Sequence, residues 1–211
     1  MRTILLVLLC SVALASPALA IHSEPSPANS TAPECIWLVG AHAGVPDLAA
    51  GQFVVIYRDL ANNPIANANV VIDLSGAPDM SVCADQLDPE VVVDCANKTV
   101  SKHTGADGAV HFTILGGSNG GGNATTLLLG GKIFANGTLI KQPTVSAFDL
   151  DGSGGVGAND LSAWLTDFGS GNNYGRSDYD CSGAIGANDL SFWLTVFGSG
   201  TMTESCANRC P

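Results

Sequence analysis

Basic and aromatic side chains are scarce in this sequence, and no long apolar run follows its N-terminal segment. Lysine and arginine number 8 against 19 aspartates and glutamates, which gives a formal net charge of −11. So acidic a chain repels nucleic acid and anionic membranes, and we therefore expect neither as a partner. Past the N-terminal segment no stretch is apolar over the roughly 18 residues that a membrane helix needs, so we expect no membrane insertion.

The N-terminal segment has the features of a secretory signal peptide. Arg2 precedes an apolar run at 4–9, and the motif Ala18-Leu19-Ala20 supplies a small-residue cleavage site. We expect residues 1–20 to be removed and the mature chain to be secreted, which makes its net charge one unit more negative because Arg2 is lost.

Composition favours a turn-rich β protein over a disordered acidic one. Charged residues make up only 13% of the chain and glycine occurs 25 times, which is typical of short strands joined by turns. About 190 residues follow the signal peptide, enough for one ordinary domain and one small one. The sequence has no Gly-x-Ser-x-Gly motif in a strand-turn-helix context and no acidic pair outside the loops described below. We therefore expect no enzyme activity.

Short runs of β-type residues alternate with turn residues after a Pro-rich, flexible lead at 21–33. Turns are predicted at Asn62-Asn63-Pro64 and Ala106-Asp107-Gly108. Alternating Val110, Phe112 and Ile114 predict a strand with one buried face, whereas the Gly-rich segment 116–123 predicts a flexible loop. The predicted strands are 53–57, 68–74, 91–93, 109–114, 125–129 and 144–148.

Several short strands at this spacing predict a β-sandwich over residues 34–147. The segments 58–65 (RDLANNPI), 68–70 (ANV) and 104–112 (TGADGAVHF) resemble the bacterial Ig-like domains of invasin- and intimin-type surface proteins. That resemblance implies an Ig-like sandwich that serves as a spacer or adhesive unit.

The segments 149–160 (loop 1) and 178–189 (loop 2) are two copies of one twelve-residue acidic pattern. Oxygen-bearing side chains stand at positions 1, 3, 5 and 12, a backbone carbonyl is available at position 7, and position 6 is glycine, as in loops that wrap Ca²⁺. The predicted ligands are Asp149, Asp151, Ser153, the Gly155 carbonyl and Asp160 in loop 1, and Asp178, Asp180, Ser182, the Ala184 carbonyl and Asp189 in loop 2.

A helix is predicted after each loop, because apolar residues follow at i, i+3, i+4 and i+7. We expect the two helices to pack mainly against one another and to end at Gly169 and Gly198. The apolar faces are Leu161, Trp164, Leu165 and Phe168 after loop 1, and Leu190, Trp193, Leu194 and Phe197 after loop 2.

No helix is predicted ahead of either loop, since 144–148 is typical of a strand and 172–177 of a turn. A duplicated loop with only an exiting helix, and with Asp at position 12, resembles the type I dockerin module of cellulosome-type assemblies over 148–200. The resemblance implies two bound Ca²⁺ and a cohesin-like protein partner. It assigns partner recognition to loop positions 10 and 11, which are Ala158 and Asn159 in loop 1 and Ala187 and Asn188 in loop 2.

The chain departs from the dockerin pattern at two loop positions. Position 9 is Gly157 or Gly186, and position 5 is serine rather than aspartate. Three carboxylates per loop still predict an affinity that extracellular calcium of about 10⁻⁴ to 10⁻³ M saturates.

Six cysteines remain after signal removal, and an even number in an exported chain predicts three disulfides. Three precede residue 148 and three follow it, so complete pairing requires at least one bridge between the two parts; the alternative is one free thiol in each. Cys181 is expected to bind the tail, residues 201–211, through Cys206 or Cys210. The six are Cys35, Cys83, Cys95, Cys181, Cys206 and Cys210.

Three functions therefore stay open for an exported, calcium-binding, non-catalytic chain. The repeats are a docking module for a partner protein, or calcium only rigidifies the end of an adhesin. In the third, the β-sandwich binds polysaccharide, with Trp37 as a candidate stacking residue.

Overall fold

The computed structural model describes residues 24–119, 128–204 and 208–210. The predicted signal peptide, Cys206 and most of the predicted strand at 125–129 lie outside these residues. The described chain is mainly β, as predicted.

Its strands are β1 (Cys35–Val39), β2 (Ala41–His42), β3 (Val45–Pro46), β4 (Phe53–Ile56), β5 (Asn69–Asp73), β6 (Met80–Val82), β7 (Val92–Asp94), β8 (Thr99–His103), β9 (Ala109–Phe112), β10 (Ile114–Ser118), β11 (Lys132–Ala135), β12 (Thr138–Lys141) and β13 (Thr144–Ala147). Its helices are α1 (Leu48–Gly51), α2 (Ala158–Gly169), α3 (Ala187–Ser199) and a 3₁₀ helix, Gly175–Ser177.

Two larger sheets organise the strands. One has the order β13-β1-β10-β6 and the other β12-β11-β5-β8-β7, while β2 pairs with β3 and β4 with β9. The five-stranded sheet is antiparallel throughout, whereas β1 runs parallel to both β10 and β13. Because β13 leads directly into loop 1, this parallel pairing places loop 1 at the end of the four-stranded sheet.

A first hydrophobic core draws its side chains from both larger sheets. Ile36 and Leu38 of β1 belong to one cluster of buried residues with Val70 and Ile72 of β5. The alternation of apolar residues along these strands turns every second side chain inward. As the sequence predicts, Val110, Phe112 and Ile114 are buried in the same core.

The predicted flexible loop at 116–123 is wrong over 116–118, where β10 continues to Ser118 in an interior position. A Cβ on Gly116 would lie 2.5 Å from the Ser81 carbonyl oxygen of the neighbouring strand β6. Glycine at this position therefore allows two strands to approach closely, which a composition-based prediction of flexibility cannot distinguish from a loop.

A second core joins the helices of the repeats to the β part of the chain. Trp164 of α2 and Trp193 of α3 share a cluster with Val39 of β1 and Leu115 of β10. The expectation that the two helices pack mainly against one another is therefore wrong, since their tryptophans share this core with strand residues.

The apolar faces of the two helices are buried only in part. Four of the eight predicted residues are about half exposed: Leu165 51%, Phe168 52%, Leu194 46% and Phe197 46%. The first predicted helix end is confirmed, since Gly169 is the last residue of α2. The second is one residue too early, since α3 continues past Gly198 to Ser199 and is capped by Gly200 with φ +66°.

Two disulfides, Cys35–Cys181 and Cys95–Cys210, confirm the predicted bridging between the two parts of the chain. The predicted bond from Cys181 to the tail is wrong. The start of β1 lies beside loop 2, where the Trp37 indole donates a hydrogen bond to the Tyr179 carbonyl at 3.0 Å. Cys83 is disulfide-bonded as well. Such bonds indicate a non-reducing, extracellular environment, and no described helix is long and apolar enough to cross a membrane.

Candidate metal centre

Each loop gathers its three aspartates around one point. In the triad Asp149, Asp151 and Asp160, one carboxylate oxygen from each residue lies within 4.8 Å of the other two, and the same holds for Asp178, Asp180 and Asp189. Oxygens this close form the kind of donor set that hard divalent cations prefer. The carboxylate members of the predicted ligand sets are therefore brought together.

Left-handed backbone turns at loop positions 4 and 6 produce this convergence. Gly152 and Gly154 have φ of +73° and +108° in loop 1, and Cys181 and Gly183 have φ of +52° and +88° in loop 2. Glycine adopts these angles freely, whereas Cys181 does so at a steric cost. Position 6 thus has the role that the sequence predicts for it.

The aspartate at position 12 closes each loop by accepting three backbone hydrogen bonds. Asp160 Oδ1 accepts from the amides of Leu150 and Asp151 at 2.6 and 2.9 Å, and its Oδ2 accepts from Gly157 at 2.7 Å. Asp189 accepts the equivalent bonds from Tyr179, Asp180 and Gly186 at 2.6, 3.0 and 2.7 Å. A carboxylate offers about four lone pairs, so one on Oδ2 is left for a cation.

Asp149 at position 1 of loop 1 is only 3% exposed. Its Oδ2 accepts hydrogen bonds from the Gly154 amide, at 3.1 Å, and from the Arg209 guanidinium. Its Oδ1 is buried without a hydrogen-bond partner. A buried carboxylate oxygen without a partner is costly, and a cation coordinated inside the triad would remove that cost, so the residues of loop 1 fit a metal ion.

Asp178 at position 1 of loop 2 shares the position-6 amide as a partner but accepts its other hydrogen bond from the position-5 amide. Its two oxygens accept hydrogen bonds from the Ser182 and Gly183 amides at 3.1 and 3.0 Å. The Ser182 hydroxyl donates to the Ala184 carbonyl at 3.1 Å, so two predicted ligands of loop 2 lie within hydrogen-bond distance of each other. In loop 1 the Ser153 amide donates to Asp151 Oδ1 at 2.8 Å.

Burial and repulsion from neighbouring aspartates raise the pKa of the carboxyl groups at three loop positions. At Asp151 and Asp180 hydrogen bonds outweigh burial, and the pKa is lowered. Desolvation, followed by the charges of neighbouring aspartates, raises the pKa of Asp160 and of Asp178 to about 6. Burial also raises the pKa of Asp149, despite the opposing Arg209 charge. A divalent ion at the centre of each triad would favour the ionised form and reverse these shifts.

Reciprocal hydrogen bonds between the repeats make the two loops structurally dependent on each other. The Trp164 indole donates to the carbonyl of Ser177, the residue before loop 2, and the Trp193 indole donates to that of Phe148, the residue before loop 1, both at 3.3 Å. Each helix therefore anchors the start of the opposite loop, and the two repeats contact each other through equivalent residues.

The residues predicted to contact a partner lie on the surface. Ala158, Asn159, Ala187 and Asn188 are all exposed at the starts of α2 and α3. Asn188 also donates to Asp180 Oδ2 at 3.3 Å, so the asparagine at position 11 supports the acidic loop whether or not it contacts a partner.

Sequence reasoning missed Arg209 and the buried ion pair between Asp167 and Arg176. The Arg176 guanidinium donates to both Asp167 oxygens at 2.7 and 2.8 Å. A local signal existed for this pair, since the residue equivalent to Asp167 in the second repeat is Val196. No local pattern indicates Arg209, which reaches loop 1 only through the path of the tail.

Trp37 belongs to the junction between the β part and the repeats. Its ring lies 4.9 Å from that of Phe192 on α3, and its indole is bonded to loop 2. Trp37 therefore links β1 to α3 and loop 2.

Comparison with known proteins adds no relative: no family model matches the chain, and no curated protein or solved structure is significantly similar to it.

Proposed function

We propose that this chain is a secreted, non-catalytic calcium-binding protein that attaches to a partner protein through its duplicated loops. The observation that carries the proposal is the pair of carboxylate triads, in each of which one oxygen per aspartate lies within 4.8 Å of the others. Three carboxylates, the serine hydroxyl at position 5 and the backbone carbonyl at position 7 suit Ca²⁺, which takes six to eight oxygen ligands.

The docking surface consists of the exposed residues at the starts of α2 and α3 together with the exposed part of each helix. Leu165 and Phe168 in α2 recur as Leu194 and Phe197 in α3, each about half exposed. The two residues of each pair are three apart and so are neighbours on one helix face, and contiguous exposed apolar patches mark protein interaction sites. A twofold arrangement would let a cohesin-like partner bind in two orientations, as the dockerin resemblance implies.

A direct experiment measures binding of the disulfide-intact mature chain to immobilised type I cohesin domains, with calcium and with chelator. We expect retention that requires calcium and that falls at least tenfold in the Leu165→Glu/Leu194→Glu variant. The matched control is Leu139→Glu, which changes a comparably exposed leucine, 42%, on β12. Absence of retention in calcium, or equal retention in chelator, would contradict the docking proposal.

A purely structural role for calcium is the second candidate, and a specific observation favours it. The Cys35–Cys181 disulfide and the shared core tie the repeats to the β part, so a rigid chain end is one direct consequence of calcium binding. An adhesin of this kind would gain thermal stability from calcium and bind no cohesin-like domain, which the same experiment distinguishes. The Ig-like character of residues 34–147 and the dockerin-like character of 148–200 remain parts of the proposal.

A further inference from the structure

The C-terminal tail is held firmly against the β part of the chain beside loop 1. The Ala84 amide donates to the Asn208 carbonyl at 2.9 Å, and the Cys210 amide donates to the Val82 carbonyl at 2.8 Å. The Cys95–Cys210 disulfide adds a covalent anchor. Arg209 therefore has its backbone fixed on both sides.

This anchoring places the Arg209 side chain beside Asp149, the first ligand position of loop 1. Its guanidinium pairs with Asp149 Oδ2 and also donates to the Ser118 carbonyl. The side chains of Arg209 and Asp149 are 20% and 3% exposed. An ion pair so well shielded from water is only weakly screened by salt, so loop 1 carries a permanent positive neighbour.

Loop 2 has no such neighbour in the part of the chain that the structure describes. Asp178 is fully buried, and its hydrogen-bond donors are backbone amides. None of the described ion pairs involves Asp178, Asp180 or Asp189. The three carboxylates of loop 2 therefore lie close together, and no described basic side chain pairs with any of them.

We infer that the tail makes the two calcium sites unequal: loop 2 binds calcium first, and Arg209 keeps loop 1 as the weaker site. This inference rests on the proposed calcium binding. A guanidinium on Asp149 repels a divalent ion that shares the same carboxylate, and at such short range this repulsion lowers affinity on the order of tenfold or more. The unpartnered Asp149 Oδ1 keeps loop 1 able to bind.

The test isolates each loop by replacing its position-3 aspartate in the full disulfide-bonded chain. Asp180→Asn leaves loop 1 and Asp151→Asn leaves loop 2, and isothermal calorimetry with calcium chloride gives each dissociation constant. We expect loop 2 to bind at least tenfold more tightly. Adding Arg209→Gln to the Asp180→Asn chain should tighten loop 1 about tenfold, whereas Arg209→Lys, which keeps the charge, should leave it weak. Arg58→Gln, which removes a half-buried arginine that donates to the Asn62 carbonyl, is the control for the change in net charge.

Equal affinities in the two single-loop variants would overturn this inference and leave calcium binding intact. So would an unchanged loop 1 in the Arg209→Gln chain, or the same tightening from Arg58→Gln. Absence of heat in the unmodified chain and in both single-loop variants would instead overturn the proposed calcium binding, and this inference with it.

Discussion

Loop 1 and loop 2 hold the same carboxylates in different surroundings. The tail covers loop 1: the Val156 amide donates to the Met202 carbonyl, and a Cβ on Gly155 would lie 2.8 Å from the Thr203 carbonyl oxygen. Loop 2 is more open at the equivalent Ala184, which is exposed, and is tethered by the Cys35–Cys181 disulfide. The duplicated sequence therefore determines which residues surround each metal position. Parts of the chain outside the repeat determine the charges near each loop and the contacts that hold each loop in place.

The largest expected effect comes from removing one difference between the repeats, at the position where α2 has Asp167 and α3 has Val196. Asp167→Val leaves Arg176, 1% exposed, as a buried charge without its ion-pair partner. Removing one member of a buried pair costs about 3–5 kcal/mol, so we expect a loss of that size in urea unfolding with saturating calcium. The double variant Asp167→Val/Arg176→Met, which makes the first repeat apolar like the second, should recover most of it. A loss below about 1 kcal/mol in the single variant would refute this account.

A smaller effect on the free energy of unfolding is expected at loop position 4, where loop 1 has Gly152 and loop 2 has Cys181. Losing the Cys35–Cys181 bond in Cys35→Ser/Cys181→Ser should cost about 2–4 kcal/mol of unfolding free energy. Cys35→Ser/Cys181→Gly should recover about 1 kcal/mol of this, because glycine relieves the positive φ of +52°. Urea unfolding of the two variants side by side compares their free energies of unfolding. A glycine variant no more stable than the serine variant would argue against backbone strain at this position.

The smallest effect concerns pH and tests whether the carboxyl groups of both loops need a cation in order to ionise. The folded pKa of Asp160 and Asp178 is raised to about 6, so without metal their contribution to stability is present at low pH and lost as pH rises through 6. Lowering pH from about 7 to 5 should therefore raise the unfolding midpoint of the metal-free chain slightly, relative to the Asp160→Asn/Asp178→Asn chain. With calcium the same change should lower the midpoint, because protons then compete with the ion. Calorimetric scans that show the same pH dependence with and without calcium would contradict the shifts.

The ligand cage and the helices were predictable because their signals are local. Asp149 to Asp160 follow a fixed spacing, and Trp164 and Trp193 recur at helical intervals. Strand β10 was missed past Ile114 because its glycines serve close strand packing rather than flexibility. The reciprocal indole bonds, the partner of Cys181 and the position of Arg209 depend on how distant segments meet, and no spacing along the chain encodes those contacts.

The central claim is that the duplicated acidic loops bind calcium, and the most direct measurement is a calorimetric titration of the metal-free, disulfide-intact mature chain with calcium chloride. The account predicts saturable heat with two ions bound per chain, and loss of both sites in the Asp160→Ala/Asp189→Ala chain. Absence of saturable heat, or two ions still bound by the double variant, would contradict it.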